Sequence, residues 1–172
     1  MSNVDKVISL AIQATKEALQ AVTERRFFET ERGYHGRLYC ELQQRLVSRS
    51  EIVPSCVLEM EYQKSSRHGL TQRPDIILHV PTEHSGVEPT RNNFVVWALK
   101  RRATVIDANE DFRRIEELFE SLDYQLGVFI NIDSAETMRE HYKGKHSSKL
   151  MFSSVKLGQC GVRINVEGPE FC

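Results

Sequence analysis

The sequence contains no apolar run of about 18 residues, which is the length that a membrane-spanning helix needs. Its first residues, MSNVDKVISLAIQ, include an aspartate at position 5 and only a short apolar stretch. They therefore lack the pattern of a secretory signal peptide. We expect a cytoplasmic protein without a membrane partner.

Paired cysteines and nucleotide-binding signatures are also missing. The four cysteines lie far apart with no C-x-x-C pair, at Cys40, Cys56, Cys160 and Cys172. This spacing argues against a zinc knuckle and favours free thiols in a reducing compartment. Neither G-x-x-x-x-G-K-[ST] nor G-x-G-x-x-G occurs, so no nucleotide-driven activity is indicated.

An excess of charge of one sign is absent as well, because 23 Lys and Arg residues face 24 Asp and Glu residues. A polyanion would have to be met by a local basic patch. The 172 residues are 40% hydrophobic and 27% charged, which is typical of one soluble globular domain. No repeat or linker divides the chain.

Apolar residues at helical spacing predict an amphipathic helix over 4–25 and another over 31–47. In the second helix, the predicted buried stripe consists of Tyr34, Leu38, Leu42 and Leu46. The same spacing predicts a helix over 107–122. A short helix is predicted over 134–142, with Ser134 as its cap.

Six segments are predicted to be strands. The segment 56–63 alternates, with Leu58 and Met60 on the face opposite Glu59. The other five are apolar runs at 74–80, 94–100, 125–132, 150–157 and 161–168. Together the elements predict a mixed α/β domain whose first three strands form an antiparallel meander.

Two of these apolar strands carry charged residues that are costly to bury. Asp75 begins the second strand and Lys100 ends the third, two residues after Ala98. Residues two apart in a strand point to the same face, and an adjacent antiparallel strand could bring Asp75 beside them. Buried charges need partners or a metal ion, so this convergence is a candidate functional site.

The segments RPDIILH (73–79) and NNFVVWALK (92–100) resemble the motif of the PD-(D/E)-x-K nuclease superfamily, which has the restriction-endonuclease-like fold. In that motif, Pro-Asp is followed after a variable gap by an acidic residue, any residue and lysine. The match covers Asp75 and Lys100.

The resemblance extends beyond the motif. TERGYHGRLYCEL resembles the family's first active-site helix and places Glu31, whereas DFRRIEEL and YQLGVFINI resemble its next helix and strand. The likeness covers 29–132, with 1–28 as an additional amino-terminal helix. It implies an α/β, restriction-endonuclease-like mixed sheet flanked by helices, in one domain over 1–172.

The resemblance also implies a chemistry: hydrolysis of DNA phosphodiester bonds by a water that Mg²⁺ or Mn²⁺ activates. Asp75, position 98 and the Leu99 carbonyl would hold the metal. Lys100 would orient or activate the water, and Glu31 would hold a metal water or a second ion. The expected enzyme is a Mg²⁺-dependent endodeoxyribonuclease. Arg101 and Arg102 are candidate phosphate contacts.

Position 98 departs from the family's pattern, because Ala98 stands where that pattern has Glu or Asp. A methyl group cannot bind Mg²⁺, so we expect the chain as it stands to be inactive or nearly so. A natural pseudo-nuclease and an engineered Glu-to-Ala change would both explain the alanine. We favour the second explanation, since the other three site residues persist.

Alternatives stay open at this point. Glu41 is a rival to Glu31 on the same helix, and Glu59 or Glu61 could join the site. A catalytically dead module could still bind nucleic acid or a partner protein. A regulatory α/β module with an accidental motif is a third possibility. An active enzyme could also be a homodimer, because one site cuts one strand of a duplex.

Overall fold

The structure, a computed structural model, describes residues 2–47, 56–60, 74–81 and 92–169. Its helices are α1 (Asn3–Ala21), α2 (Arg25–Phe28), α3 (Glu31–Val47) and α4 (Val105–Leu122). Its strands are β1 (Val57–Met60), β2 (Ile76–His79), β3 (Asn93–Arg101), β4 (Leu126–Ile132), β5 (Leu150–Gly158) and β6 (Gly161–Glu167).

The six strands form one mixed sheet in the order β1-β2-β3-β4-β5-β6. The pairs β1–β2, β2–β3 and β5–β6 are antiparallel, whereas β3–β4 and β4–β5 are parallel. The predicted meander of the first three strands is therefore confirmed. Helix α4 makes the crossover that the parallel pair β3–β4 requires.

One face of the sheet is covered by α1 and α3. The predicted stripe of α3 is confirmed, since Tyr34, Leu38, Leu42 and Leu46 are all buried. Trp97 of β3 is fully buried against these helices, and its Nε1–H donates to Thr15 Oγ1 at 3.0 Å. The Thr15 hydroxyl in turn donates to the Ala11 carbonyl at 2.7 Å. This core is apolar, and its indole N–H is satisfied within the fold.

The other face is covered by α4, which packs Phe112, Ile115 and Phe119 onto the sheet. The closest approach is at Gly127 of β4, where a Cβ atom would lie 2.6 Å from the Ile115 side chain and 2.9 Å from that of Phe119. No side chain fits there without displacing the side chains that α4 packs onto the sheet. Gly127 thus lets α4 lie directly on the sheet.

A capping box fixes where α4 begins. Thr104 Oγ1 accepts from the Asp107 N–H at 3.2 Å, and Asp107 Oδ2 accepts from the Thr104 N–H at 3.0 Å. Two otherwise free donors at the helix start are satisfied in this way. Because only three residues separate Arg101 from Val105, the first turns of α4 lie next to the end of β3.

The predicted helix over 134–142 is wrong, because the only helical turn in it is a 3₁₀ turn at Arg139–His141. Ser134 Oγ accepts from the Glu136 N–H at 3.1 Å, which is a two-residue turn and not a helix cap. The hydroxyl offers the backbone a local alternative to a helix. Met138 has a φ of +64°, which also stops a helix there.

Tertiary hydrogen bonds organise the chain after that turn. Glu116 of α4 accepts from the Tyr142 hydroxyl, from the Lys145 N–H at 3.3 Å and from His146 Nδ1 at 2.9 Å. These bonds lower the pKa of Glu116, although its partial burial acts in the opposite direction. A carboxylate on a distant helix satisfies this segment's donors, and local sequence patterns do not reveal such a partner.

Strand β1 differs in part from its predicted alternation. Met60 is 37% exposed, and Glu59 lies 2.8 Å from His79 Nε2 on β2. The predictions for Glu61, for Cys172 and for the strand end at 61–63 fall outside the described residues.

Cys40, Cys56 and Cys160 are free thiols, as expected. Within the described residues, no helix is long and apolar enough to span a membrane.

Candidate active site

The end of β3 brings three of the predicted site residues, Asp75, Ala98 and Lys100, to one face of the sheet. Ala98 and Lys100 share the face of Val96, which is the face that α4 covers. Ile76 pairs with Trp97 across the antiparallel strands, so Asp75 comes next in register, opposite Ala98. The predicted convergence of a carboxylate, the position-98 side chain and an amine therefore follows from the strand pairing.

These residues line a cleft of about 60 Å³ between β3 and α4. Its walls consist of Pro74, Asp75, Val96, Ala98, Lys100, Asp111, Arg114, Ile115 and Leu118. The volume accommodates a few water molecules, because one water needs about 10–15 Å³ of such space. The Ala98 methyl leaves room in the cleft where a longer side chain could lie.

Asp75 is held from two directions. Its Oδ2 accepts from the Leu99 N–H at 2.7 Å, and its backbone carbonyl accepts from His35 Nε2 at 2.9 Å. His35 lies on α3, so this bond joins the strand to the helix on the opposite face. Burial raises the pKa of the Asp75 carboxyl above its usual value, while the Leu99 N–H, His35 and Lys100 oppose that rise.

Glu31 approaches the end of β3 from the first turn of α3. Its Oε2 accepts from the Arg101 N–H at 2.9 Å, and its Oε1 lies 3.9 Å from Lys100 Nζ. The Glu31 side chain is 44% exposed and is not part of the cleft lining. The structure thus places Glu31 beside Lys100 and the strand end, and it places Asp75 with Lys100 in the cleft.

The two arginines after Lys100 differ in what they offer a ligand. Arg101 donates from Nε to the Phe28 carbonyl at 2.7 Å and from Nη2 to Asp133 Oδ2 at 3.0 Å. Its guanidinium therefore ties β3 to α2 and to the end of β4. Arg102 also pairs with Asp133, at 2.7 Å, but its side chain is 65% exposed. Of this pair, Arg102 is the one that presents its charge to solvent.

Sequence reasoning did not find Asp111, which lines the same cleft from α4. Its side chain is only 8% exposed, and its Oδ1 accepts from Arg114 Nη1 at 3.1 Å. Its Oδ2 is buried and has no hydrogen-bond partner among the described residues. Burial raises the pKa of Asp111 to about 6, and the Asp75 charge adds to the rise while Lys100 opposes it.

A signal for Asp111 exists in the sequence. The buried positions of α4 are Ala108, Asp111, Phe112, Ile115, Leu118, Phe119 and Leu122. Asp111 therefore lies on the apolar stripe, three residues after Ala108 and four before Ile115. An aspartate on the buried face of an amphipathic helix is costly unless a partner or a ligand compensates it.

The side-chain oxygens that line the cleft are of the type that a hard divalent cation prefers, but there are few of them. Across the described ranges, no group of three or more His, Cys, Asp or Glu side chains could hold a metal ion. Mg²⁺ is usually bound through one or two carboxylates, with water or phosphate oxygens completing the octahedron. Two carboxylates, Asp75 and Asp111, line the cleft, and the alanine at position 98 contributes no oxygen.

Comparisons with known proteins found no matching family model, curated protein or solved structure.

Proposed function

We propose that this chain has a restriction-endonuclease-like fold and belongs to the metal-dependent nucleases that hydrolyse phosphodiester bonds in DNA. The observation that supports this proposal is the convergence of Asp75, position 98 and Lys100 on one cleft at the end of β3. The motif alone requires no such arrangement, since Asp75 and Lys100 could have occupied opposite faces of the sheet.

Each residue has a role in this proposal. Asp75 and the Leu99 carbonyl would hold Mg²⁺ or Mn²⁺, which would supply Lewis acidity and make a bound water a better nucleophile. Lys100 places a positive charge in the cleft, where charge develops on the phosphoryl group. Glu31, 3.9 Å from Lys100, orients that amine. Arg102 offers an exposed guanidinium for a flanking phosphate.

Position 98 decides how active the chain is. Ala98 leaves the cation without the carboxylate that the family's pattern supplies, so we expect cleavage by this chain to be slow or undetectable. The free thiols of Cys40, Cys56 and Cys160 fit a reducing, cytoplasmic compartment. A homodimer would allow two such sites to cut both strands of a duplex.

The test is cleavage of plasmid, single-stranded DNA and RNA in Mg²⁺ or Mn²⁺ by this chain, by Ala98→Glu and by Ala98→Gln. Glutamate and glutamine have nearly the same size, so only the charged oxygen ligand distinguishes them. We expect Ala98→Glu to cut DNA and Ala98→Gln to resemble the starting chain. An Ala98→Glu protein that folds but leaves every substrate intact in both metals would overturn the nuclease proposal.

A second candidate function is a catalytically dead module that binds nucleic acid, and the alanine at position 98 is the observation that favours it. Such a module would bind DNA without gaining activity from Ala98→Glu. Its affinity would fall steeply as salt rises, because Lys and Arg contacts release counterions from phosphates. A shift assay that finds no binding to any nucleic acid would exclude this candidate.

A further inference from the structure

The unexplained feature of the cleft is the buried, unpartnered oxygen of Asp111. The side chain is more than nine-tenths buried, and Oδ2 has no partner among the described residues, whereas Oδ1 meets Arg114. A buried carboxylate oxygen without a hydrogen bond is normally strongly disfavoured. Its place in the cleft lining, with Asp75 and Lys100, indicates that a ligand satisfies it.

A purely structural role would leave a different pattern of contacts. If Asp111 served to anchor Arg114, the guanidinium would be expected to satisfy both carboxylate oxygens in a two-bond pair. Arg114 instead gives Nη1 to Asp111 at 3.1 Å and Nη2 to Glu110 at 2.5 Å. Its side chain is 42% exposed, so its contact with Glu110 is at the surface. Oδ2 is left without a bond from it.

Two carboxylates that share a cleft repel each other, and a cation between them would remove that repulsion. Asp75 lies on the strand wall and Asp111 on the helix wall. Hard divalent cations prefer such oxygen pairs, and water fills their other positions.

We infer that Asp111 and Asp75 together form a divalent-cation site in this cleft, with Asp111 providing from α4 the second carboxylate that position 98 lacks. Ala98 makes space for this arrangement because its methyl group does not extend across the cleft. The inference rests on the proposed function only for the use of the ion in cleavage. Binding of the ion is a property of the cleft that can be measured without any substrate.

The test is titration with Mn²⁺ in the absence of nucleic acid, with free Mn²⁺ followed by its electron paramagnetic resonance signal. The proteins are the full chain, Asp111→Asn, Asp75→Asn and the control Asp123→Asn. Asp123 follows α4, is 62% exposed and pairs with Lys149, and asparagine tolerates its left-handed backbone. The control therefore makes the same chemical change outside the cleft.

We expect one bound Mn²⁺ per chain. The Asp111→Asn and Asp75→Asn changes should each weaken binding by about tenfold or more, because even an outer partner of a metal ligand contributes about 10–100-fold. The Asp123→Asn protein should bind like the full chain. Equal affinity in Asp111→Asn and the full chain, or no binding by the full chain, would overturn the inference.

A second measurement does not depend on the variants. Fe²⁺ with ascorbate and peroxide generates radicals at its binding site, so cleavage of the polypeptide should map to the backbone around 75, 98–100 and 111. Cuts elsewhere only would contradict the site. If Mn²⁺ binds as expected and Ala98→Glu still cuts no nucleic acid, the nuclease proposal fails and the cation site stands.

Discussion

The two faces of β3 are built from alternate residues of one strand, yet they differ in packing and charge. Val95, Trp97 and Leu99 point to α1 and α3 and are buried in an apolar core. Val96, Ala98 and Lys100 point to the α4 side and change along the strand from apolar to charged. The first face is closed, whereas the second opens into a cleft where its apolar covering ends.

The two faces also differ in which kind of buried polar atom lacks a hydrogen-bond partner. On the closed face, the Trp97 indole N–H donates to Thr15 Oγ1 at 3.0 Å, and the neutral Tyr34 hydroxyl is buried without a hydrogen-bond partner among the described residues. On the open face, Asp111 Oδ2 is buried without a partner among the described residues. A carboxylate oxygen costs more to bury without a partner than a neutral phenol does, so the open face holds the group that a bound ligand would stabilise most.

The largest expected effect is on the open face, in the Ala98→Glu protein. Lys100→Ala in that background should reduce cleavage by about 10²–10⁴-fold, because a group that stabilises developing charge acts in the transition state. Single-turnover rates on a DNA substrate provide the measurement, and far-UV circular dichroism checks folding. Unchanged cleavage rates would exclude a catalytic role for Lys100.

On the closed face, we expect the Trp97→Ala change to lower stability without altering ion binding. Trp97→Ala removes a fully buried ring and should cost about 3–5 kcal/mol in the free energy of unfolding. Urea denaturation measures this loss. In the fraction that stays folded, Mn²⁺ affinity should match that of the full chain. A loss of ion binding without a loss of stability would contradict the separation of the two faces.

Asp111→Asn should increase stability when divalent ions are removed with EDTA. Burial raises the pKa of Asp111 to about 6, so its charged form is disfavoured in the folded state. Its contribution to stability is full below the ordinary pKa near 4 and is lost as the pH rises through 6. At pH 7 the asparagine variant should be about 1–3 kcal/mol more stable, since a shift of one pKa unit is worth about 1.4 kcal/mol.

The pH dependence separates this effect from ordinary repacking. Near pH 4 both proteins carry a neutral side chain at position 111, so the difference in the free energy of unfolding should nearly vanish. Saturating Mn²⁺ should stabilise the aspartate protein and leave the asparagine protein almost unchanged. A gain in stability that is the same at pH 4 and pH 7 would contradict the stated cause.

The smallest effect on the cleavage rate is expected from Glu31, which lies outside the cleft lining. Glu31 is 44% exposed and lies 3.9 Å from Lys100, and surface pairs of this kind contribute about 0–1 kcal/mol. Glu31→Gln keeps an oxygen that can accept from the Arg101 N–H. In the Ala98→Glu background it should slow cleavage by less than about tenfold, which single-turnover kinetics would detect. A loss as large as that from Lys100→Ala would make Glu31 a direct ligand.

Much of the fold could be predicted from the sequence, because local patterns encode it. Helix α3 begins and ends where the spacing of Tyr34, Leu38, Leu42 and Leu46 predicts it. The shared face of Ala98 and Lys100 follows from strand geometry alone. Their meeting with Asp75 depends on the register of β2 and β3. The apolar pattern of the two strands suggests that register but does not determine it.

The rest depends on contacts between distant residues. The pattern of α4 identifies its buried face but not the strand that it covers, so it could not place Asp111 in the cleft with Asp75. The predicted helix over 134–142 fails because Ser134 makes a local turn and Glu116, on α4, binds the following segment. The Ser134 turn is local, but the Glu116 partner, about 30 residues away in sequence, is not visible in the local pattern.

The absence of a side chain at Gly127 bears on the size of the ion that the proposed cation site would select. Ile115, which would be only 2.6 Å from a Cβ at that position, lies one turn beyond Asp111 and lines the cleft itself. The height of α4 above the sheet is therefore set on β4, away from both carboxylates. Oxygen ligands lie about 2.0–2.1 Å from Mg²⁺ and about 2.3–2.6 Å from Ca²⁺. At the proposed cation site, a residue that donates nothing to the ion would thus help to decide which ion fits, and a bulkier side chain at position 127 would shift the preference towards the larger ion.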